Sequence, residues 1–329
     1  MRVLVTGGAG YVGSVSVAAL LEAGHEVVVL DDLTTGHRAA LDGAELRRGT
    51  YADRELVTRL LESDRIEAIL HCAARSLVQE SVANPSKYYH ENVAGGLELL
   101  EAARGTGVDR LVFSSTAAVY GTPDTTPITE DAPARPINPY GETKRTFEGA
   151  LRWFGEAYGL RSISLRYFNV AGATGQLGED HRPETHLIPN VLRGIAEGGA
   201  AVIFGDDYPT PDGTCVRDYI HVADLASAHL LALEATADST GAAAFNLGTG
   251  TGFSVLEVVA AAESVVGRTV ARDVRPRRAG DPPVLVASPA HARVELGWEP
   301  RRSSLEPMIG SAWEWRQQHP GGYPDLSSP

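Results

Sequence analysis

The stretch RVLVTGGAGYVGS, residues 2–14, decides the fold. RVLVTG is a short apolar run ending in glycine and reads as a buried strand. TGGAGYVG (6–13) follows at once. Its Gly8, Gly10 and Gly13 fit G-x-G-x-x-G, and Gly7, Gly10 and Gly13 fit G-x-x-G-x-x-G. YVGSVSVAALLEAG (11–24) then carries apolar residues at helical spacing and stops at Gly24. A strand, a glycine turn and a helix open a dinucleotide-binding βαβ unit. The glycines let the backbone approach a pyrophosphate, and the helix N-terminus offers unpaired N–H groups and a positive dipole end. EVVVLDD (26–32) is the next strand, with Asp31 18 residues after Gly13. A carboxylate there accepts ribose hydroxyls and repels a 2′-phosphate, which favours NAD over NADP.

The same rhythm continues. It gives helix DRELVTRLLES (53–63), strand IEAILHCAA (66–74), helix SKYYHENVAGGLELLEAARGTG (86–107), strand DRLVFSST (109–116), a helix opened by Pro139, and strand RSISLRYFNV (161–170). Apolar strands alternating with helices imply an α/β fold, a doubly wound, Rossmann-like parallel sheet covered on both faces. After about residue 170 the rhythm loosens. GATGQLGEDHRPET (172–185) has no periodicity. Short strands (201–205, 216–222) and helices (223–235, 255–267) follow without strict alternation. The expected division is a cofactor domain over 1–170 and a smaller mixed α/β substrate domain over 171–329. Segments near 220–248 are free to return to the first domain. The tail HPGGYPDLSSP (319–329) reads as loosely held.

The 329 residues carry a net charge of −13, which argues against nonspecific binding to nucleic acid or anionic membranes. Two cysteines, Cys72 and Cys215, stand far apart and fit a reducing compartment. No stretch approaches the ~18–20 apolar residues of a membrane span. The opening apolar run is too short for a signal-peptide core. A cytoplasmic protein is expected. His71 and Cys72 are adjacent but have no partner at ligand spacing, and His181 and His186 lie in a loop, so no metal is expected.

NPYGETK (138–144) places Tyr140 and Lys144 four apart behind Pro139, so both lie on one face of a helix. Asn138 and Pro139 suit its start. A tyrosine useful as a base at pH 7 needs a pKa lowered by ~3 units, or ~4 kcal/mol. One cation about 6 Å away at an effective dielectric of ~20 supplies about 2.8 kcal/mol. Lys144 alone falls short, and a positive nicotinamide ring is the natural second contributor.

Together these motifs resemble the extended short-chain dehydrogenase/reductase family, and within it the UDP-glucose 4-epimerase family. The resemblance runs nearly end to end. It is carried by TGGAGYVGS, ESVANPSKYYHENV, FSSTAAVYG, NPYGETK, RYFNVAGA, IFGDDYPTPDGTCVRDYIHVADLA and PRRAGDPP. It implies that NAD takes a hydride from C4 of a UDP-hexose and returns it to the other face of a 4-keto sugar, interconverting UDP-glucose and UDP-galactose. Tyr140 would be the base, Thr116 would bond the same sugar oxygen, and Lys144 would hold the nicotinamide ribose. The cofactor positions implied are Gly7, Gly10, Tyr11, Val12, Gly13, Asp31, Asp32, Thr50, Tyr51, Cys72, Ala73, Ala74, Ser76, Asn92 and Phe168, with Tyr140 and Lys144. The nucleotide-sugar positions implied are Asn169, His186, Leu187, Val202, Phe204, Arg217, Tyr219, Arg278, Asp281 and Leu285, with Thr116 and Tyr140. Arg217 and Arg278 would grip the pyrophosphate, a task for which a planar guanidinium fork is suited. A homodimer is the family expectation.

Three positions depart from the family pattern. Thr50 replaces an aspartate that faces the adenine. Ser76 replaces a lysine on the cofactor. Leu285 stands where a tyrosine or a small residue flanks the sugar 2-position, which leaves room for UDP-N-acetylhexosamines. Ala117 and Ala118 after Thr116 cannot transfer protons, which disfavours a 4,6-dehydratase. A 4-epimerase of a UDP-uronate or UDP-pentose and a non-catalytic NAD-binding sensor are the alternatives.

Overall fold

The apolar runs assemble into one parallel sheet. A computed structural model describes residues 1–278 and 281–324. Its strands are β1 (Arg2–Thr6), β2 (Glu26–Asp31), β3 (Glu45–Arg48), β4 (Ala68–His71), β5 (Arg110–Thr116), β6 (Arg161–Tyr167), β7 (Asn169–Ala171), β8 (Ala200–Phe204), β9 (Val216–His221), β10 (Ala242–Leu247), β11 (Gly252–Ser254), β12 (Ala271–Arg275) and β13 (Val284–Leu285). Seven form the main sheet in the order β10-β6-β5-β4-β1-β2-β3, and every pairing in it is parallel. The doubly wound architecture is therefore present.

Alternation within a strand feeds two separate cores. Val3 and Val5 face a cluster with Val17, Leu20, Leu225 and Ala228 from helices Tyr11–Glu22 and Val222–Ala235. Leu4, between them, faces Val57, Leu60, Leu99, Phe147 and Leu151 from helices Arg54–Ser63, Gly95–Thr106 and Pro139–Tyr158. Burial on both faces is why these strands read as unbroken apolar runs. A third core joins Ile188, Val191, Val258, Val259, Met308 and Ile309 from helices Leu187–Glu197, Val255–Val266 and Leu305–Gln318.

Three expectations differ in detail, and one strand had no sequence signal. The strand expected over 161–170 is two strands. Phe168 still donates its N–H to Leu247 O at 3.3 Å, beside the main sheet. Asn169–Ala171 then pair with Tyr219–His221 in a second sheet. No turn residue marks the switch. The helix expected over 86–107 contains a wide π turn at Tyr89–Ala94 between Pro85–Tyr88 and Gly95–Thr106. Strand β3 is polar, Glu-Leu-Arg-Arg, and lies at the sheet edge, where the apolar signal fails. The tail is anchored through Tyr323, whose ring stacks 5.0 Å from His37 and whose hydroxyl accepts from the Gly178 N–H at 3.0 Å. Loose holding is thus wrong for 319–324, and 325–329 lie outside the described residues.

Candidate active site

The site forms where the C-terminal ends of the central strands meet the start of helix Pro139–Tyr158. Asn138 caps that helix, its Oδ1 accepting from the Gly141 N–H at 2.8 Å, with Pro139 at the first position. Gly141 is needed for a close approach: a Cβ there would lie 2.5 Å from Ala118 O. The helix can therefore press Tyr140 against the end of β5, where Thr116 sits.

The Tyr140 side chain is nearly buried, with Thr116 at the end of β5 beside it. Burial raises the phenol pKa, and the Thr116 hydroxyl opposes the rise. Lys144 is also buried. Its Nζ donates to Ser114 O at 2.8 Å and lies 4.6 Å from the Phe113 ring centroid and 6.0 Å from that of Tyr140. Burial pulls Lys144 down to about 8, against the pull of Cys72 and Glu148. The two side chains are neighbours, as the four-residue spacing predicts. The expected net depression of the phenol is not a property of the protein alone, because burial dominates.

The glycine turn fits a dinucleotide. A Cβ on Gly13 would sit 2.0 Å from Gly7 O, so the turn closes only around glycine. Helix Tyr11–Glu22 begins at Gly10 with no side-chain cap and no acidic residue in its first turn. Its N–H groups are thus left for an anion. Asp31 is held at the end of β2 by the N–H groups of Ala9 (3.0 Å) and Leu33 (2.8 Å). Burial raises its pKa, and these two donors oppose the rise. Asp32 instead closes a turn by accepting from the Thr34 N–H at 2.8 Å.

The other expected cofactor positions divide. Cys72, Ala73 and Ala74 run on from β4, where Cys72 and Ala73 both donate their N–H to Thr6 O at 3.0 Å. Burial pushes the Cys72 thiol up to about 11. Ser76 is exposed just beyond. Thr50 Oγ1 accepts from the Ala52 N–H at 3.2 Å. Tyr51 donates to Glu91 O at 2.7 Å and lies edge-on to His71. Asn92 spends its amide inside the protein. Its Oδ1 accepts from the Arg75 N–H at 2.8 Å, while its Nδ2 donates to Arg75 O and Thr143 Oγ1. It sits in the π turn and ties the loop after β4 to the Tyr140 helix, which makes it a positioning residue here. Tyr11 donates to Gly172 O at 2.5 Å, Val12 packs on the first core, and Phe168 packs with Ala117 and Tyr120.

The expected nucleotide-sugar positions gather around β8, β9 and β13. Arg217 pairs with Asp281 and donates to Val216 O at 2.7 Å. Arg278 lies with its guanidinium 4.0 Å from the Phe204 ring centroid. Tyr219 is buried and pairs directly in register with Asn169, which is exposed. Leu285 pairs with Arg217 in β13 and packs on the cluster holding Ala117 and Phe168. Val202 is on β8 beside Phe204, and Leu187 opens its helix behind His186.

Sequence reasoning missed three structural supports. Ser114 acts through its carbonyl, which no motif marks. Arg166 and Glu148 form a partly buried pair at 2.6 Å, and Ser115 also donates to Glu148 at 2.5 Å. Asp218, between Arg217 and Tyr219, accepts from Thr249 N and Oγ1 at 2.8 Å and from the N–H groups of Gly250 and Ala287 at 3.0 Å.

The chain is similar to known proteins over nearly its whole length. The family model described as the NAD dependent epimerase/dehydratase family matches residues 3–248. The chain is 50% identical over 329 residues to the UDP-glucose 4-epimerase of Lactobacillus helveticus, covering 99% of this chain and 100% of that one. It is similar to the crystal structure of UDP-glucose 4-epimerase from Brucella ovis in complex with NAD. There the TM-score is 0.92, the identity 46%, and the coverage 95% of this chain and 97% of that one. The UDP-Glc/GlcNAc 4-epimerase of Campylobacter jejuni matches with a TM-score of 0.84 at 40% identity, covering 96% and 99%. With the strand-end Tyr–Lys–Thr group and the glycine turn in place, the conclusion is that this chain belongs to the NAD dependent epimerase/dehydratase family.

Proposed function

We propose that the chain interconverts UDP-glucose and UDP-galactose with NAD as a resident cofactor. The observation that carries this is the buried Tyr140 ring with Lys144 Nζ 6.0 Å from its centroid, one helical turn on, at the end of β5 where Thr116 sits. Gly7, Gly10, Gly13 and Asp31 would hold the cofactor. When bound, NAD supplies a reversible hydride acceptor for C4 of the sugar. Tyr140 takes the proton of the 4-hydroxyl and later returns one. Thr116 orients the phenol toward that oxygen. Lys144 keeps a positive charge beside the phenol in a region closed to water, where a charge acts strongly. Arg217, Arg278, Phe204 and Tyr219 hold the UDP end. The sugar is then gripped through its nucleotide, which suits a reaction whose product must present either face of C4.

The test is incubation of the purified chain with UDP-galactose, with and without added NAD+, followed by chromatography. UDP-glucose is expected. A full gain on added NAD+ would mean that Thr50 and Ser76 weaken its retention. No UDP-glucose under either condition would overturn the reading. UDP-N-acetylgalactosamine is expected to turn over as well, because Leu285 leaves more space beside the sugar than a tyrosine would. The C. jejuni relative's name supports this extension.

The cytoplasm is the proposed compartment, and no described helix is long and apolar enough to cross a membrane. A homodimer is proposed through the face holding Tyr89, Val93 and Leu97, which line one shallow depression. Tyr89 and Leu97 are exposed there, as is Trp153 on helix Pro139–Tyr158. Light scattering is expected to read the mass of two chains, and a single-chain mass at micromolar concentration would remove that surface from the account.

A further inference from the structure

The loop before helix Leu187–Glu197 gathers four side chains that no spacing rule had joined. Glu179, His181, Glu184 and His186 each present one ligand atom, and all four atoms lie within 4.8 Å of one another. We propose that these four residues form a binding site for one divalent transition-metal ion of the zinc class. The proposal does not depend on the epimerase reading.

The distances carry the first argument. His186 Nδ1 lies 2.7 Å from Glu179 Oε1 and 2.9 Å from Glu184 Oε1. His181 Nδ1 lies 3.1 Å from Glu179 Oε1 and 3.7 Å from Glu184 Oε2. Ligands about 2.0–2.1 Å from a tetrahedral zinc ion are separated by about 3.3 Å. These separations bracket that value. A single N–H at His186 Nδ1 can point well at only one acceptor, yet two carboxylates converge on it. An ion at the centre satisfies all four groups together.

Charge carries the second. The two carboxylates are almost enclosed, with side-chain exposures of 8% and 9%. Two such carboxylates facing one another need positive charge between them. A dication with two neutral imidazoles brings the cluster to zero net charge. Imidazole and carboxylate donors suit zinc better than a hard ion such as magnesium. The surroundings are also held in place. Glu184 Oε1 accepts from the N–H groups of Thr185 (2.7 Å) and His186 (2.8 Å), and Asn190 donates to His186 O at 2.8 Å. Tyr11, the first residue of the glycine-loop helix, lies edge-on to His181 with centroids 6.3 Å apart. The ion would therefore fasten the loop ahead of helix Leu187–Glu197 beside the cofactor turn.

The alternative is an ion-pair cluster of two imidazolium rings and two carboxylates. Burial alone would lower both histidines, but the carboxylates outweigh it and push His181 up to about 9 and His186 to about 10. The experiment separates the two. The full chain is stripped with a chelator, given one equivalent of Zn2+, gel-filtered and analysed for metal by mass spectrometry. About one zinc per chain is expected, with H186A and E184Q each losing at least tenfold in retention. Co2+ in place of zinc is expected to give the visible absorption of a four-coordinate site. Failure of the wild-type chain to retain zinc would overturn the proposal. So would retention that neither substitution alters, or histidine ring signals that still titrate with raised midpoints in the presence of Zn2+. The wild-type measurements decide the matter even if a variant fails to fold.

Discussion

Tyr140→Phe is expected to lower turnover of UDP-galactose by roughly 10²–10⁴-fold, the range over which positioned acid–base groups contribute. The substitution removes one oxygen and leaves the packing. The ring is nearly buried at the head of its helix, and Thr116 is the side chain that opposes the rise of its pKa. Folding is therefore expected to survive, with the melting temperature within about 2 °C of wild type. The pH profile gives a second readout. Activity needs the phenolate, and burial raises the phenol pKa, so turnover of the wild type should climb with pH until the phenol of the complex has ionised. That rising limb should vanish in the variant. Turnover within threefold of wild type, or an unchanged rising limb, would remove Tyr140 from the role of base. Lys144 bears on the same profile from the other side. Its own pKa, down to about 8 through burial, means that its charge fades as the pH passes that value. Loss of activity in wild type above about pH 8 would report Lys144 rather than Tyr140.

How much of this was legible depends on how local each feature is. The glycine turn, its helix and Asp31 are set by residues close in sequence, and a motif can hold them. The same is true of Asn138, Pro139, Tyr140 and Lys144, which one helix start brings together. Thr116 could be placed because it ends an apolar run. Groups set by closure of the chain were not legible. Arg217 and Asp281 are 64 residues apart and meet only when β13 pairs with β9. The break at Phe168 depends on a choice between two sheets, which an apolar run does not record. Asn92 reads as a family position, but its work inside the π turn appears only when Arg75 and Thr143 arrive from elsewhere. The four-residue cluster at 179–186 was missed for a different reason. Its members are close in sequence, but ligand spacing on a loop obeys no helical rule, so the pattern E-x-H-x-x-E-x-H carried no signal until the backbone folded it.

Asp218→Asn is expected to be the most damaging single substitution outside the reacting groups. Asp218 is fully buried in β9 and donates nothing. One oxygen accepts from Thr249 N and Oγ1, and the other from the N–H groups of Gly250 and Ala287. This joins β9 to the turn 248–250 and to the segment after β13. An asparagine can keep only one of the two oxygens. With its NH2 toward Thr249, whose hydroxyl can turn to accept, the Thr249 N–H loses its acceptor; turned the other way, the N–H groups of Gly250 and Ala287 lose theirs. At ~1–3 kcal/mol for each donor left unpaired, the expected loss is about 1–6 kcal/mol. That corresponds to a fall in melting temperature of roughly 3–15 °C. The functional effect follows from position. Arg217 and Tyr219 flank Asp218 on the same strand, so loosening it should raise KM for the UDP-sugar more than it lowers kcat. Tyr140 and Thr116 hang from β5 and its helix, not from β9. A melting temperature within about 2 °C of wild type would show that the donors find other partners and that the hub is dispensable. A fall in kcat with KM unchanged would place the strain at the reacting end instead, and β9 would then support catalysis rather than the grip on the nucleotide.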